Sequence, residues 1–453
     1  MMTLVRTFRA VTVMLSFTLM LTACGGDDGG SPPPPPSAQV TVSGTVQAPA
    51  GQVALFSKPS LWDRAIALLS PEAMAALTGL SSVPDGTAVQ LIRIDDAGNV
   101  TATLTSTSVS AGKYSFNLTS LGLNPSSNLL VRVINSGANA QMRAFVTGPT
   151  VDLDPISETA VRLALERIAL TPGTTLNGFT VTELRDITGA VNQLAVVKRL
   201  GAGLNIESTV SAIKREVASE TGLTGFIVAA AAPGESTEGP GDIGNYFPLT
   251  QGNTWQFQGT HSETGQYSNT VKVAGTKSVG SVTTTILTEN NPLNSRAAEE
   301  VYYLKDSRGI WNYGNSDSSD TLSPSIIPFR ELLFPLNVGV TSEVVNKKGV
   351  NFGQDLDADG KNETADVLSQ VTVEAFENVT VPKGTFTSAA KVVHKTTITA
   401  FPSTGSKSVK VIGTQTLWFV VNLGAVKRTL EVQADGQAAE SVTEELVNAT
   451  IVN

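Results

Sequence analysis

The chain is poor in the side chains that perform most enzymatic chemistry. Its 453 residues include one cysteine and two histidines, which excludes a cysteine–histidine zinc cluster and any internal disulfide. No G-x-S-x-G, H-E-x-x-H, Walker or dinucleotide-binding motif occurs. Serines and carboxylates are plentiful, but no spacing singles out a catalytic triad or a glycosidase pair. Charge is sparse too. The 31 basic and 40 acidic residues make up 16% of the chain and leave a net charge of −9, which opposes binding to nucleic acid. The apolar run AVTVMLSFTLMLTA falls short of the roughly 20 residues that a bilayer-spanning helix needs.

That run has the right length for something else. Residues 1–23 carry Arg6 and Arg9, no acid, and then the short apolar stretch, which is the pattern of a secretory signal. Leu21-Thr22-Ala23-Cys24 resembles the lipobox of bacterial lipoproteins. The resemblance implies cleavage before Cys24 and acylation of its sulfur and new amino group. Several acyl chains on one residue anchor firmly where a single chain does not. Gly25, in place of Asp after the cysteine, implies by the same resemblance an outer-membrane destination. Cleavage would leave 29 basic and 40 acidic residues, a net of −11. GGDDGGSPPPPPS (25–37) then reads as a tether that is stiff over Pro32 to Pro36 and spans about 40 Å when extended.

Residues 38–150 read as β. QVTVSGTV, VALF, TAVQLIRI, NVTATLTST, KYSFNL, NLLVRVIN and QMRAFV are short runs with period-two alternation or β-branched enrichment, and turn residues separate them. Seven such runs predict a sandwich. TVSGTV, GKYSFNL and LLVRV are similar to a transthyretin-like, or carboxypeptidase-regulatory-like, sandwich, a resemblance that implies a spacer or adhesive unit without catalysis. Between VALF and TAVQL the stretch KPSLWDRAIALLSPEAMAALTG predicts a helical insertion over 59–80. It reads either as a cover for an open edge of the sandwich or as a partner-docking surface.

Over 151–228 the period changes to that of a helix. Asp154-Pro155 is expected to cap a first helix, and Thr180 with Glu183 a second. Asn205 is expected to cap a third, closed by Gly222. A Gly/Pro/acid linker occupies 229–243. Residues 244–453 alternate again in long strands, which predicts an antiparallel meander or half-barrel. YFPLTQGNTWQF, VTVPKGTFTSAAKV and LWFVVNLGAVKR resemble the opening, middle and closing signatures of an uncharacterised strand-rich module of bacterial lipoproteins, with no activity attached.

Two sets of residues stand out in this last part. DLDADGKNETAD (355–366) has the spacing of a calcium loop, with Asp355, Asp357 and Asp359 at positions 1, 3 and 5. Gly360 gives the turn, Lys361 offers its carbonyl at position 7, and Glu363 and Asp366 stand at 9 and 12. Hard oxygens at alternate residues suit a structural Ca²⁺, and the alternative is an acidic surface turn. Trp255, Trp311 and Trp418 read as core and rim of the β domain, or as the lining of a site for a sugar or an apolar ligand. His261 is expected in a surface hairpin and His394 packed within a strand.

The expected protein is mainly β and multidomain, with no catalytic site. It is a lipid-anchored extracytoplasmic lipoprotein serving as a binding or structural module for an envelope protein or a glycan. The alternative is a periplasmic carrier or chaperone for an apolar ligand in the C-terminal β domain, and a hydrolase is the weakest of the three readings.

Overall fold

The computed structural model describes residues 40–52, 77–134, 141–230, 239–292, 299–317, 320–403, 405 and 407–452. Cys24, the tether and most of the expected helical insertion lie outside the described residues. Two compact units divide the chain: one runs to Ile243 and includes Pro335–Asn337, and the other comprises Gly244–Phe334 and Val338–Asn453.

The first unit opens with β1 (Thr41–Thr45), β2 (Gln47–Pro49), β3 (Leu80–Ser82) and β4 (Ala88–Ile94). β5 (Val100–Ser108), β6 (Lys113–Asn117), β7 (Leu129–Ile134) and β8 (Gln141–Phe145) follow. They form a four-stranded sheet in the order β5-β4-β7-β8 and two short ribbons, β1-β6 and β2-β3. Alternation buries Val42, Tyr114, Phe116, Val89, Leu91 and Val131 in one core between the layers. Gly44 admits the returning segment 150–153, because a Cβ there would stand 1.9 Å from the carbonyl oxygen of Val151. Tyr114 donates its hydroxyl to that same carbonyl.

Among the described residues four α-helices complete the unit: α1 (Pro155–Leu170), α2 (Val181–Val197), α3 (Ile206–Ser219) and α4 (Thr221–Ala230). The first three begin with capping boxes at Asp154, Thr180 and Asn205, each satisfying helix N–H groups that would otherwise lack acceptors. The fourth corrects the sequence reading. Gly222 does not close α3; that helix ends at Ser219, and TGLTGFIVAA forms a helix of its own that buries Leu223, Phe226, Ile227 and Ala230.

Among the described residues the second unit is a single antiparallel sheet of twelve strands. A first meander comprises β9 (Thr254–His261), β10 (Gly265–Val279), β11 (Val282–Asn290), β12 (Glu299–Asp306), β13 (Gly309–Asn315) and β14 (Phe329–Leu333). The short helix α5 (Ser323–Ile326) lies between its last two strands. A second meander comprises β15 (Thr341–Asn351), β16 (Thr364–Val381), β17 (Gly384–Phe401), β18 (Val409–Val420), β19 (Gly424–Ala434) and β20 (Glu440–Thr450). The two meet where β9 pairs with β20. End strands β14 and β15 approach each other without a ladder between them, which leaves a half-barrel.

Burial of every second residue along β9, β16 and β18 turns one face of this sheet inward. Among the described residues two larger apolar clusters and a small one, Leu430 with Val442, occupy the interior. Of the larger two, one gathers Phe329, Phe352, Val367 and Ile398, and the other Trp255, Phe257, Val379 and Leu446. The tip of the β16–β17 hairpin is pinned to β20, where a bulge between Leu446 and Asn448 leaves the Leu446 carbonyl to accept the Lys383 N–H at 2.9 Å.

Candidate functional site

The acidic loop between β15 and β16 is built around one buried carboxylate. Glu363 is 1% exposed; its carboxylate accepts the Leu356 N–H at 3.0 Å and the Ser403 N–H at 2.9 Å. Left-handed turns at Ala358 and Gly360 fold the chain back, so that Asp355 accepts the N–H groups of Asp359 and Gly360. Carboxylate oxygens of Asp355, Asp357 and Glu363 come within 4.8 Å of one another. Three hard oxygens at that separation could contribute part of the six to eight that a Ca²⁺ takes.

The side chains of the other three residues of the spacing have other partners. Asp359 accepts the Ser403 hydroxyl at 2.6 Å, and that bond holds its pKa below the ordinary carboxylate value. The Lys361 ammonium stands 3.6 Å from Asp359. Asp366 already belongs to β16, whose pleat directs its carboxylate to the Gly349 N–H on β15 at 2.9 Å.

The tryptophans are held by separate contacts. Trp255 is buried and donates its indole N–H to the Leu423 carbonyl at 2.6 Å. Trp418 packs at the margin of the same cluster, between the ammonium groups of Lys391 and Lys427, and donates to Glu377 at 2.7 Å. Trp311 sits on β13 in the other meander, beside the guanidinium groups of Arg308 and Arg330, and donates to Asp306 at 3.0 Å.

A feature that the sequence reading missed lies in the interior, where polar side chains occupy inward positions. Arg428 pairs with Glu444 and with Glu289, the latter at 3.0 Å, and its guanidinium covers the Phe257 ring. Burial works against the charge of Arg428, but the carboxylates of Glu444 and Glu289 outweigh it and keep its pKa above the ordinary arginine value. Asn269 donates to both carboxylates, and Tyr267 donates to Glu444 at 3.0 Å. Further along, Tyr303 and Asn312 donate to Glu331, whose pKa is raised by burial. Every charge in this band has an opposite charge or a hydrogen-bond donor beside it, which is the condition for burying charge at all.

Both histidines are buried. His261, expected at the surface, is 6% exposed because it ends β9 on the inward face. Its Nδ1 accepts the N–H groups of Glu263 and Thr264 and so caps the β9–β10 turn. His394 is 7% exposed, and its Nε2 has no hydrogen-bond partner among the described residues.

Comparison with protein-family models and with curated proteins finds no match. Among solved structures, a candidate lipoprotein from Parabacteroides distasonis is similar at 16% identity and a TM-score of 0.28, covering 45% of this chain and 98% of that one. A candidate exported protein with a YmcC-like fold from Bacteroides fragilis is similar at 13% identity and a TM-score of 0.24, with the same coverage. Superpositions this loose leave the function to be argued from the chain's own residues.

Proposed function

We propose that the chain is an extracytoplasmic lipoprotein, anchored in the outer membrane through acylated Cys24, whose β units serve as a non-enzymatic binding or structural module for an envelope protein or a glycan. The lipobox-like LTAC and the proline tether motivate the anchor. The observation that carries the module reading is how the half-barrel interior is used. Its two larger apolar clusters, the Arg428 network and Trp255 pack against the unit's own side chains, so recognition falls to the outward faces. Native mass spectrometry of the protein extracted in mild detergent tests both parts. The expected mass is the mature chain plus acyl groups, with or without an added protein chain or glycan. A co-purifying apolar ligand would replace the module with a carrier, and an unmodified Cys24 would remove the anchor.

The same reading assigns Asp355, Asp357 and Glu363 to a structural Ca²⁺. Extracellular calcium modules bind at about 0.1–1 mM, so millimolar Ca²⁺ should stabilise the second unit by roughly 0.4–1.4 kcal/mol. Its melting temperature should then rise by about 1–5 °C. Mg²⁺ should do little, since it demands a tighter octahedral shell. Asp357→Ala should abolish the rise while the unit stays folded. Identical melting curves in calcium and in chelator would reduce the loop to an acidic turn.

A further inference from the structure

The outward face of β9, β10 and β20 differs from the rest of the sheet. β9 sends Gln256 and Gln258 outward, and β10 sends Gln266, Ser268 and Thr270. The register places Gln258 beside Ser268 and Gln256 beside Thr270. On β20 the bulge between Leu446 and Asn448 leaves Val447 outward and 45% exposed. Together they border a groove of about 510 Å³. Its floor is formed by Phe257, Tyr267 and Asn269, whose side chains belong to the interior.

None of the nine residues lining the groove is charged. That neutrality stops at the groove's margin, where Glu445 of β20, opposite Gln258 in register, is paired with Lys427, and beyond it Lys391 pairs with Glu374. It is also at odds with a chain of net charge −9. A side-chain amide offers an acceptor and two donors in one plane, and a hydroxyl offers both roles. Such a surface complements a ligand that carries donors and acceptors at close intervals and no charge.

An extended peptide fits less well. β9 and β10 each have both edges paired, so no backbone N–H or C=O is open for strand addition. A folded protein partner usually brings aromatic or arginine anchors to pockets that desolvate them, and the only apolar side chain at this rim is Val447. A sugar chain asks for what the groove has: hydroxyl-matching amides, a shallow open trough and no counter-charge.

We propose that the groove over β9, β10 and β20 binds a neutral, hydroxyl-rich glycan segment. The proposal rests on the module reading above and names its partner class and its site. Affinity electrophoresis tests it, with the detergent-solubilised full chain run through gels containing dextran, galactomannan or mixed-linkage β-glucan, and alginate as the anionic comparison. At least one neutral polysaccharide should retard the protein. Gln256→Ala with Gln258→Ala should weaken that retardation about tenfold, as expected for the loss of two neutral hydrogen-bonding side chains, with no change in melting. Retardation by none of the neutral polymers, by alginate alone, or equally for the double variant would each overturn the proposal. A protein chain found by native mass spectrometry, with no retardation in the gels, would end the glycan assignment and leave the module reading standing. A co-purified apolar ligand would end the module reading, and the gels would still report on the groove.

Discussion

Glu158→Ala should lower the stability of the first unit by about 3–5 kcal/mol, the range for stripping one partner from a buried ion pair. Glu158 is fully buried in the first turn of α1. Its carboxylate accepts the Arg143 backbone N–H at 2.9 Å, Arg143 Nε and Nη2 at 3.1 and 2.8 Å, and Arg162 Nε at 2.8 Å. With the carboxylate gone, the Arg143 side chain, only 9% exposed, would be left charged and unpaired between β8 and α1. Arg162→Ala should cost nearer 1 kcal/mol, because that side chain is 25% exposed and pairs partly with the exposed Glu207. Replacing the pair by apolar residues, Glu158→Leu with Arg143→Met, should recover much of the loss. Hydrogen exchange over residues 141–170 is the suitable readout, because three of the four tryptophans, Trp255, Trp311 and Trp418, report on the other unit. A Glu158→Ala protein within 1 kcal/mol of the parent would show that the network is dispensable.

Two buried groups in the second unit should pull its stability in opposite directions as pH changes. Burial alone pushes the pKa of His394 down to about 4 from 6.5. A depressed folded value means stability that is present above the unfolded pKa and lost as pH falls from about 6.5 to 4, roughly 3 kcal/mol in all. Glu440 is the reverse case. Burial first, and the neighbouring Glu263 carboxylate second, raise its pKa from 4.5 to about 8. Its contribution is complete below the unfolded value and declines as pH rises toward 8. Between about pH 4.5 and 6.5 the two trends offset each other in the parent. His394→Gln should therefore leave a unit that gains stability steadily as pH falls from 8 to 4.5, whereas Glu440→Gln should leave one that loses it below 6.5. Denaturant midpoints followed by tryptophan fluorescence would measure both. Parallel pH curves for the parent and the two variants would show that neither group is perturbed as described.

The inward positions of β20 show where the sequence stops being informative. In ESVTEELVNAT the inward set is Glu440, Val442, Glu444 and Leu446, and the outward set is Ser441, Thr443, Glu445 and Val447. Both sets mix polar with apolar residues, so alternation cannot tell which face is buried, and the Arg428–Glu444–Glu289 network stays hidden until the strands are paired. By contrast, TWQFQGTH on β9 puts Trp255 and Phe257 against glutamines, and its inward face is legible at once. Caps at Asp154, Thr180 and Asn205 were equally plain, but only Thr180 with Glu183 read as a reciprocal box; Ser157 and Ser208, which complete the other two, did not stand out. The helix α4 was not plain, because TGLTGFIVAA is apolar on most sides and tertiary burial, rather than amphipathic period, holds it. In the acidic loop, carboxylate oxygens of Asp355, Asp357 and Glu363, three of the residues the spacing picked out, come within 4.8 Å of one another. Asp366 lies outside that trio, because β16 begins two residues earlier, at Thr364, and the strand turns its carboxylate to the Gly349 N–H.

The seam between β9 and β20 has a consequence in time. It joins the first and last strands of the sheet, and just beyond it the Val452 N–H donates to Asn253, 199 residues away in sequence. Each meander can zip up from neighbouring hairpins, but the seam must wait for its second half to exist. At about 5–20 residues synthesised per second, β9 would stand for roughly 10–40 s before β20 is available. Throughout that interval one edge of β9 is bare, and its outward glutamines and threonines offer no lysine or proline to turn away another strand. The half-barrel is thus most vulnerable before it is finished, at the strand that later sits in its middle.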